Sequence, residues 1–419
     1  MKIALIHIHS YHNSGDAALT ESAVKNLLEN FPGCQLTLLI NDPQSYTGGQ
    51  PYVPSLLHWI KRPGGSKPLR FAWLLLTGFL AAVGKRFFGK PIDLPGSPEL
   101  KAALAALMEA DLVVGTPGGY LYSYASGRAL QILLITFMIA LAAGRPVYLL
   151  PQSYGPFRTR LERWMTGFVL QHARLVMVRE PASIPHLAAC GLPAQASILL
   201  PDMAFAFQSA PDSQAAGMLH QWLPKRMQPL LGVTVINWGD QFQGFHKQAE
   251  YEQAVAAGIR SFIQVHPTTQ VLFLPQCCGP SEHEDDRIPA RRIAGILNAY
   301  QQQVTLVETP LAAVLLSAVF GQMDLFLGTR MHSNIFALSH RVPVVAIGYL
   351  HKSRGIAQAA GITDWVLDIQ QLTAGQLSEK LLALWENRQA VRAHLETIMP
   401  ELADQARLPA QLIAADYHS

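Results

Sequence analysis

At 419 residues the chain exceeds one average domain and predicts two. Half of it is hydrophobic and 15% is charged, enough apolar surface for two sizeable cores. A net charge of +3 without a basic block argues against nucleic acid as the main partner, and the 32 Lys and Arg are left for local pockets that take acidic substrates.

Met1-Lys2-Ile3-Ala4-Leu5-Ile6 runs straight into a strand pattern with no basic-then-apolar leader, so no secretory signal is read. Cys34, Cys190, Cys277 and Cys278 fit neither a zinc spacing nor a disulfide framework. A reduced cytoplasmic compartment is the expectation, with adjacent Cys277 and Cys278 as small packing residues rather than a redox pair.

Lys2 to Ile8 reads as a strand of parallel type, residues 9–16 as a polar turn, Ala17 to Glu29 as a helix and Gln35 to Ile40 as a second strand. This is the opening unit of a doubly wound fold. Asp16 in the turn has two readings, a helix cap and a carboxylate base at the mouth of the sheet. Residues 45–100 are rich in Pro and Gly and read as an insertion. Its apolar run Phe71 to Gly84 is too short to span a membrane. Basic residues flank it, leaving burial in a core or dimer contact and peripheral contact with an anionic membrane as the alternatives.

Lys101 to Ala110 reads as a helix and Asp111 to Gly115 as a strand, followed by the turn glycines Gly118 and Gly119, which let backbone approach a ligand. Ala129 to Gly144 is a helix buried on all sides. The strand Pro146 to Leu150 delivers Gln152 and Ser153, the strand Leu175 to Val178 delivers Arg179 and Glu180, and Ile198 to Leu200 precedes Pro201-Asp202. Polar groups repeated at one sheet edge mark the side where α/β sheets bind ligands.

The first domain is expected over 1–208, a linker over 209–229, a second parallel α/β domain over 230–395 and a helical tail over 396–419. In the second domain, residues 275–287 (PQCCGPSEHEDDR) form a charged loop whose His283, Glu284, Asp285 and Asp286 meet no metal-site spacing, so no metal is expected. Gly328-Thr329-Arg330-Met331-His332-Ser333 then follows an apolar strand and opens a helix. An Arg there can grip a carboxylate or phosphate with two parallel hydrogen bonds, and a His can pass a proton near neutral pH. Ser333 reads as a cap on a helix end that favours anions. The plain alternative is an ordinary turn with a surface Arg and a half-buried His.

Taken together, Asn13-x-Gly15-Asp16-x-Ala18, Gly118-Gly119, Gln152-Ser153-x-Gly155-Pro156-Phe157, Arg179-Glu180-x-x-Ser183, Asp286-Arg287, the 328–333 segment and Ile347-x-Tyr349-x-His351-Lys352-Ser353-x-Gly355-Ile356 make the chain resemble the polysaccharide pyruvyl transferase family, above all its colanic-acid-type members. The resemblance implies two Rossmann-like doubly wound α/β domains facing a cleft, a GT-B-like arrangement. It implies transfer of pyruvate from phosphoenolpyruvate to a saccharide as a ketal, with no cofactor. The family's Arg-x-His maps onto Arg330 and His332, and its additional first-domain Arg is best matched by Arg179. A catalytic His that some members place near the Gln-Ser segment has no counterpart, since Tyr154 and Gly155 stand there.

On that footing His332 is the expected general acid or base, and Arg330 and Arg179 the expected grips on carboxylate and phosphate. Lys352 is a further phosphate contact or a surface lysine, and Asp16 activates a hydroxyl or caps its helix. Gly118 and Gly119 give room or N–H donors, and Gln152 and Ser153 bind hydroxyls or orient neighbours. The acceptor is a saccharide, lipid-linked or free, and homo-oligomerisation is left open. Two rival classes remain: a GT-B-like glycosyltransferase using a sugar nucleotide, against which no acidic residue of the second domain is set up for a ribose, and a non-catalytic saccharide-binding protein.

Overall fold

Strands that are apolar on both faces must be covered by helices on both faces, and the strand segments here carry no alternation of polar and apolar residues. A computed structural model of the chain describes residues 1–123, 128–241, 245–349 and 351–419, without the side chains of 240, 241 and 351–353. It divides into two units, the first formed by residues 1–11, 19–203 and 406–419, the second by 12–18 and 204–405.

In chain order the first unit's elements begin with β1 (Lys2–Ile8), α1 (Ser14–Asn30, whose first residues group with the second unit), β2 (Gln35–Ile40), β3 (Tyr52–Pro54) and α2 (Leu56–Lys61). They continue with α3 (Lys67–Phe88), α4 (Pro98–Glu109), β4 (Leu112–Gly115), β5 (Gly118–Leu121), α5 (Ala129–Ala142) and β6 (Val147–Tyr154). α6 (Arg160–His172), β7 (Leu175–Val178), α7 (Ile184–Ala188) and β8 (Ile198–Leu199) follow. The sheet order is β3-β2-β1-β4-β6-β7-β8, with β5 also on β6, and every pairing is parallel. α5 has no polar face, and Leu130, Leu133, Leu134, Phe137 and Ile139 are all buried. Thr136, the polar side chain buried within it, donates back to the Ile132 carbonyl at 2.9 Å, which satisfies the hydroxyl inside the core.

The second unit holds α8 (Asp212–Trp222), β9 (Leu230–Thr234), α9 (Trp238–Gln241), α10 (Gln248–Val265), β10 (Gln270–Phe273), α11 (Arg287–Ile296) and β11 (Val304–Leu306). It continues with α12 (Ala313–Phe320), β12 (Leu325–Gly328), α13 (Met331–Ser339), β13 (Val344–Gly348), α14 (His351–Ala359), β14 (Val366–Asp368) and α15 (Ala374–Gln405). Its all-parallel order β11-β10-β9-β12-β13-β14 reverses direction between β9 and β12, the switch point at which such sheets bind ligands. β12 is thus the strand that delivers residues 329–333 to that point.

Four expectations change. Residues 209–229 are no bare linker: α8 buries Ala215 and Leu219, and Ala210 donates to the Val314 carbonyl at 2.9 Å. The tail expected over 396–419 divides, because α15 runs to Gln405 and α16 (Leu408–His418) belongs to the first unit. There Asp416 accepts from Tyr148 at 2.8 Å and Arg174 at 2.9 Å, and Ala410 donates to Asn26 at 3.1 Å. Gly118 and Gly119 begin a strand rather than sit in an open turn. The run Phe71 to Gly84 is the middle of a 22-residue helix, long and apolar enough to cross a bilayer by length and composition.

Candidate active site

A buried network of charged and polar groups surrounds the turn between β12 and α13 in the second unit. Thr329 donates its N–H to the Thr234 carbonyl at 3.0 Å, and its hydroxyl meets the Tyr251 hydroxyl at 2.7 Å. Ser333 donates to the Arg330 carbonyl at 2.6 Å, so it accepts from Thr234, 2.7 Å away. Asn334 donates to the Gly328 carbonyl at 3.2 Å, and a Cβ at Gly328 would lie 2.8 Å from the Asn334 Cγ. Only glycine leaves room for that closure. Arg330 itself stands at the N-cap with extended backbone, and no side chain caps the helix. Ser333 is therefore corrected from a cap or ligand contact to a fully buried brace that holds the turn.

Arg330 is buried, and one carboxylate takes its Nε–Nη2 edge. Nε reaches the Asp286 Oδ1 at 2.9 Å and Nη2 reaches the same oxygen at 2.6 Å, while Nη2 also donates to the Glu284 carbonyl at 3.3 Å. No hydrogen bond among the described residues uses Nη1. The second Asp286 oxygen accepts the N–H groups of Gln276 at 3.1 Å and Cys277 at 2.9 Å. Burial pushes the Asp286 carboxyl upward, against the pull of Arg330 and those two N–H groups. Burial also works against the Arg330 charge, but the Asp286 carboxylate beside it more than offsets that and holds the guanidinium protonated. The result is a formally neutral buried pair with one guanidinium edge not engaged.

His332 follows one residue on, in the first turn of α13, and is buried. Its ring lies on the backbone of Gly15, where a Cβ would come within 2.6 Å of the ring Cγ. That contact explains the glycine, and segment 12–18 is held there by its own bonds. Asn13 bridges Cys277, Ser14 donates to the Gln276 carbonyl at 2.9 Å, and Cys278 donates to the His12 carbonyl at 2.9 Å. Asn13 accepts from the Gly15 N–H at 3.0 Å and donates to the Asp16 carboxylate at 3.1 Å. The cap of α1 is thus Asn13, not Asp16. Asp16 sits in the first helical turn, beside the glycine that His332 covers. The turn joins Gly15, Asp16, Asp286, Arg330 and His332 in one unit.

Arg179 has a different surrounding. Its side chain is buried in the first unit, where it donates to Asp202 at 2.7 Å, to Ser153 at 2.8 Å and lies 3.3 Å from Glu180. Ser153 donates in turn to Glu180 at 2.8 Å. The expected grip of Arg179 on a donor anion does not fit this cluster, which is one cation among two carboxylates and repels an anion. Ser153 is likewise a member of that network rather than an open hydroxyl contact. Gln152 is fully buried beside Tyr120, which donates to the Thr116 carbonyl at 3.0 Å. Gly118 has φ +139°, a conformation costly for any side chain, and its carbonyl-edge strand pairs with Gln152. Gly119 is half-buried in the same strand. Lys352 falls in α14, and its side chain lies outside the described residues.

Sequence reasoning missed the role of Asp286 and the cluster of His7 and His9. Asp286 was visible as one acid of the charged loop 275–287 and as part of an Asp-Arg pair, with no sign that it faces Arg330. His7, at the carboxyl end of β1, has φ +69° and packs on Phe137 at 4.7 Å and Tyr120 at 5.4 Å. Burial first, then the neighbouring charge of His9, pushes its pKa down to about 3. Cys277 is held as a thiol, its pKa pushed up to about 12 by burial. Among the described residues no group of three or more His, Cys, Asp or Glu is placed to hold a metal ion.

A family model described as polysaccharide pyruvyl transferase matches residues 13–351. The amylovoran biosynthesis protein AmsJ of Erwinia amylovora is 26% identical, covering 99% of each chain. Among solved structures, a putative UDP-N-acetylglucosamine 2-epimerase from Listeria monocytogenes superposes with a TM-score of 0.61 at 12% identity, covering 99% of this chain and 95% of the other. A glycosyltransferase from Rickettsia africae gives 0.59 at 10% identity over 100% and 98%. At such identities the likeness concerns the fold, two parallel-sheet α/β domains of GT-B-like type.

Proposed function

Because the chain belongs to the polysaccharide pyruvyl transferase family, we propose that it moves pyruvate from phosphoenolpyruvate onto two hydroxyls of a saccharide in exopolysaccharide biosynthesis, forming a ketal. The observation that carries the reading is the buried Arg330–Asp286 pair with Nη1 not engaged, one residue from His332. An anion on that edge meets a fixed cation in a site of low dielectric, where the attraction is far stronger than in water.

The reaction requires a proton at the methylene carbon of phosphoenolpyruvate, two new C–O bonds to the carbon bearing the carboxylate, and rupture of its bond to the phosphate oxygen. His332 delivers the methylene proton. Arg330 holds the donor's carboxylate or phosphate through Nη1 and offsets the charge that moves onto the leaving phosphate. Asp16 takes a hydroxyl proton from the acceptor. Of the two hydroxyl protons, one restores His332 and one leaves with inorganic phosphate, so no oxidant, reductant or nucleotide is consumed.

The test is to incubate the protein with phosphoenolpyruvate and saccharides carrying neighbouring hydroxyls, and to follow inorganic phosphate together with the ketal methyl signal by NMR. Equal amounts of phosphate and ketal are expected, with His332→Asn retaining donor binding and losing turnover by about 100-fold or more. Phosphate without a ketal methyl, or consumption of a nucleotide sugar instead, contradicts the reading.

A further inference from the structure

A helix that is apolar all round is normally buried all round, and α3 is not. Its inner face packs against α5 and α4: Leu74, Gly78, Ala81 and Ala82 are buried, and a Cβ at Gly78 would lie 2.5 Å from Ile139 Cδ1 and 3.8 Å from Leu104. Leaving that contact to cross a bilayer would strip the core of the first unit, so the helix stays on the body of the protein. Its outer face repeats Leu69, Trp73, Leu76, Leu80, Val83 and Phe87, a spacing of four and three residues that draws one stripe along the axis. Five of the six are exposed, and Phe87 and Phe88 at the end of the helix are 71% and 75% exposed.

The charge carried by the helix and the turns at its two ends has one sign, and Asp93, which passes beside it, is paired with Lys101. No Asp or Glu occurs from residue 43 to residue 92, whereas Lys67, Lys85, Arg86 and Lys90 flank the two ends of the helix and pair with no carboxylate among the described residues. From this combination we propose that the outer face of α3 seats the protein on an anionic phospholipid surface. Apolar side chains enter the acyl boundary, Trp73 lies at headgroup level, and the flanking cations meet lipid phosphates. A second copy of the chain is the poorer occupant, since an isologous contact would set cation-flanked ends against each other while Asp93 beside the helix is already paired with Lys101. The inference concerns where the protein works and stands apart from the reaction it runs.

The test is co-flotation of the full chain with vesicles of phosphatidylcholine alone and of phosphatidylcholine mixed with phosphatidylglycerol. The protein is expected to float with the mixed vesicles and at least about tenfold less with the neutral ones or in high salt. The variant Leu76→Gln/Phe87→Ser/Phe88→Ser, altered only at exposed positions, is expected to bind at least about tenfold more weakly with an unchanged melting curve. Should that variant misfold, Lys85→Gln/Arg86→Gln/Lys90→Gln keeps the stripe and is expected to lose the preference for mixed vesicles. Absence of flotation, equal flotation on both vesicles, or a vesicle-free dimer abolished by the first variant overturns the proposal.

Discussion

Two arginines emerge from the carboxyl ends of parallel strands in this chain, Arg179 after β7 and Arg330 after β12, and both are buried beside an aspartate. They differ in how much of the guanidinium is already used. Arg179 stands between Glu180 and Asp202 with Ser153 on a third side, so its cluster carries a net negative formal charge. Arg330 faces Asp286 alone, its cluster is neutral, and Nη1 is left over. By formal charge the first cluster disfavours an anion and the second does not. Position at a sheet edge therefore does not identify an anion site; the count of carboxylates around the cation does.

The comparison breaks most sharply at Arg330. Arg330→Ala leaves the Asp286 carboxylate buried without its partner, and a loss of about 3–5 kcal/mol in urea unfolding is expected along with loss of turnover. Arg330→Lys keeps the charge but not the planar fork. It is expected to fold and to lose activity by about 100-fold or more. Near-normal turnover in Arg330→Lys would remove Arg330 from the chemistry. Arg179→Met is the counterpart. Stability should fall by a similar ~3–5 kcal/mol as Glu180 and Asp202 lose their cation, while the KM for phosphoenolpyruvate stays within a few-fold at a temperature where the variant is folded. A large rise in that KM would erase the contrast between the two sites.

Gly15→Ala sharpens the placement of His332. The new methyl meets the imidazole, so about 1–3 kcal/mol of stability and a larger share of turnover should be lost, because the ring must shift. Full activity would show that the ring's position does not matter. The smallest effect is on pH. His7 has a folded pKa near 3 and an ordinary unfolded one, so between those values the unfolded chain binds a proton that the folded chain does not. Stability is then lost as pH falls below about 6.5, by roughly 2 kcal/mol at pH 5. Substituting His7→Gln should flatten that part of the stability–pH curve, and an unchanged slope would contradict the assignment to His7.

Much of this was legible because local rules and the fold agree. α5 has no polar face and is buried; the apolar strands are parallel; Arg330 and His332 follow a strand and open a helix, as the 328–333 segment reads. What escaped depends on partners distant in the chain. Nothing local to Arg330 points to Asp286, and nothing in 12–18 says that Gly15 lies under His332. Ser333 has the residue type of a cap but lies three positions beyond Arg330, where its hydroxyl turns inward to Thr234. Residues 209–229 look like a spacer because polar residues and prolines dominate, yet Ala215 and Leu219 are enough to seat α8. Arg179 matched a motif, and only the packing of Asp202 against it reveals that its charge is consumed.

The most direct measurement is calorimetric binding of phosphoenolpyruvate to the wild type, Arg330→Lys and Arg179→Lys, each shown to be folded under the conditions used. Affinity is expected to fall by about tenfold or more in Arg330→Lys, the loss of the charge-assisted contact through Nη1, and to change little in Arg179→Lys. Loss confined to Arg179→Lys, or equal loss in both, would contradict the account that the anion site lies at the unengaged edge of Arg330.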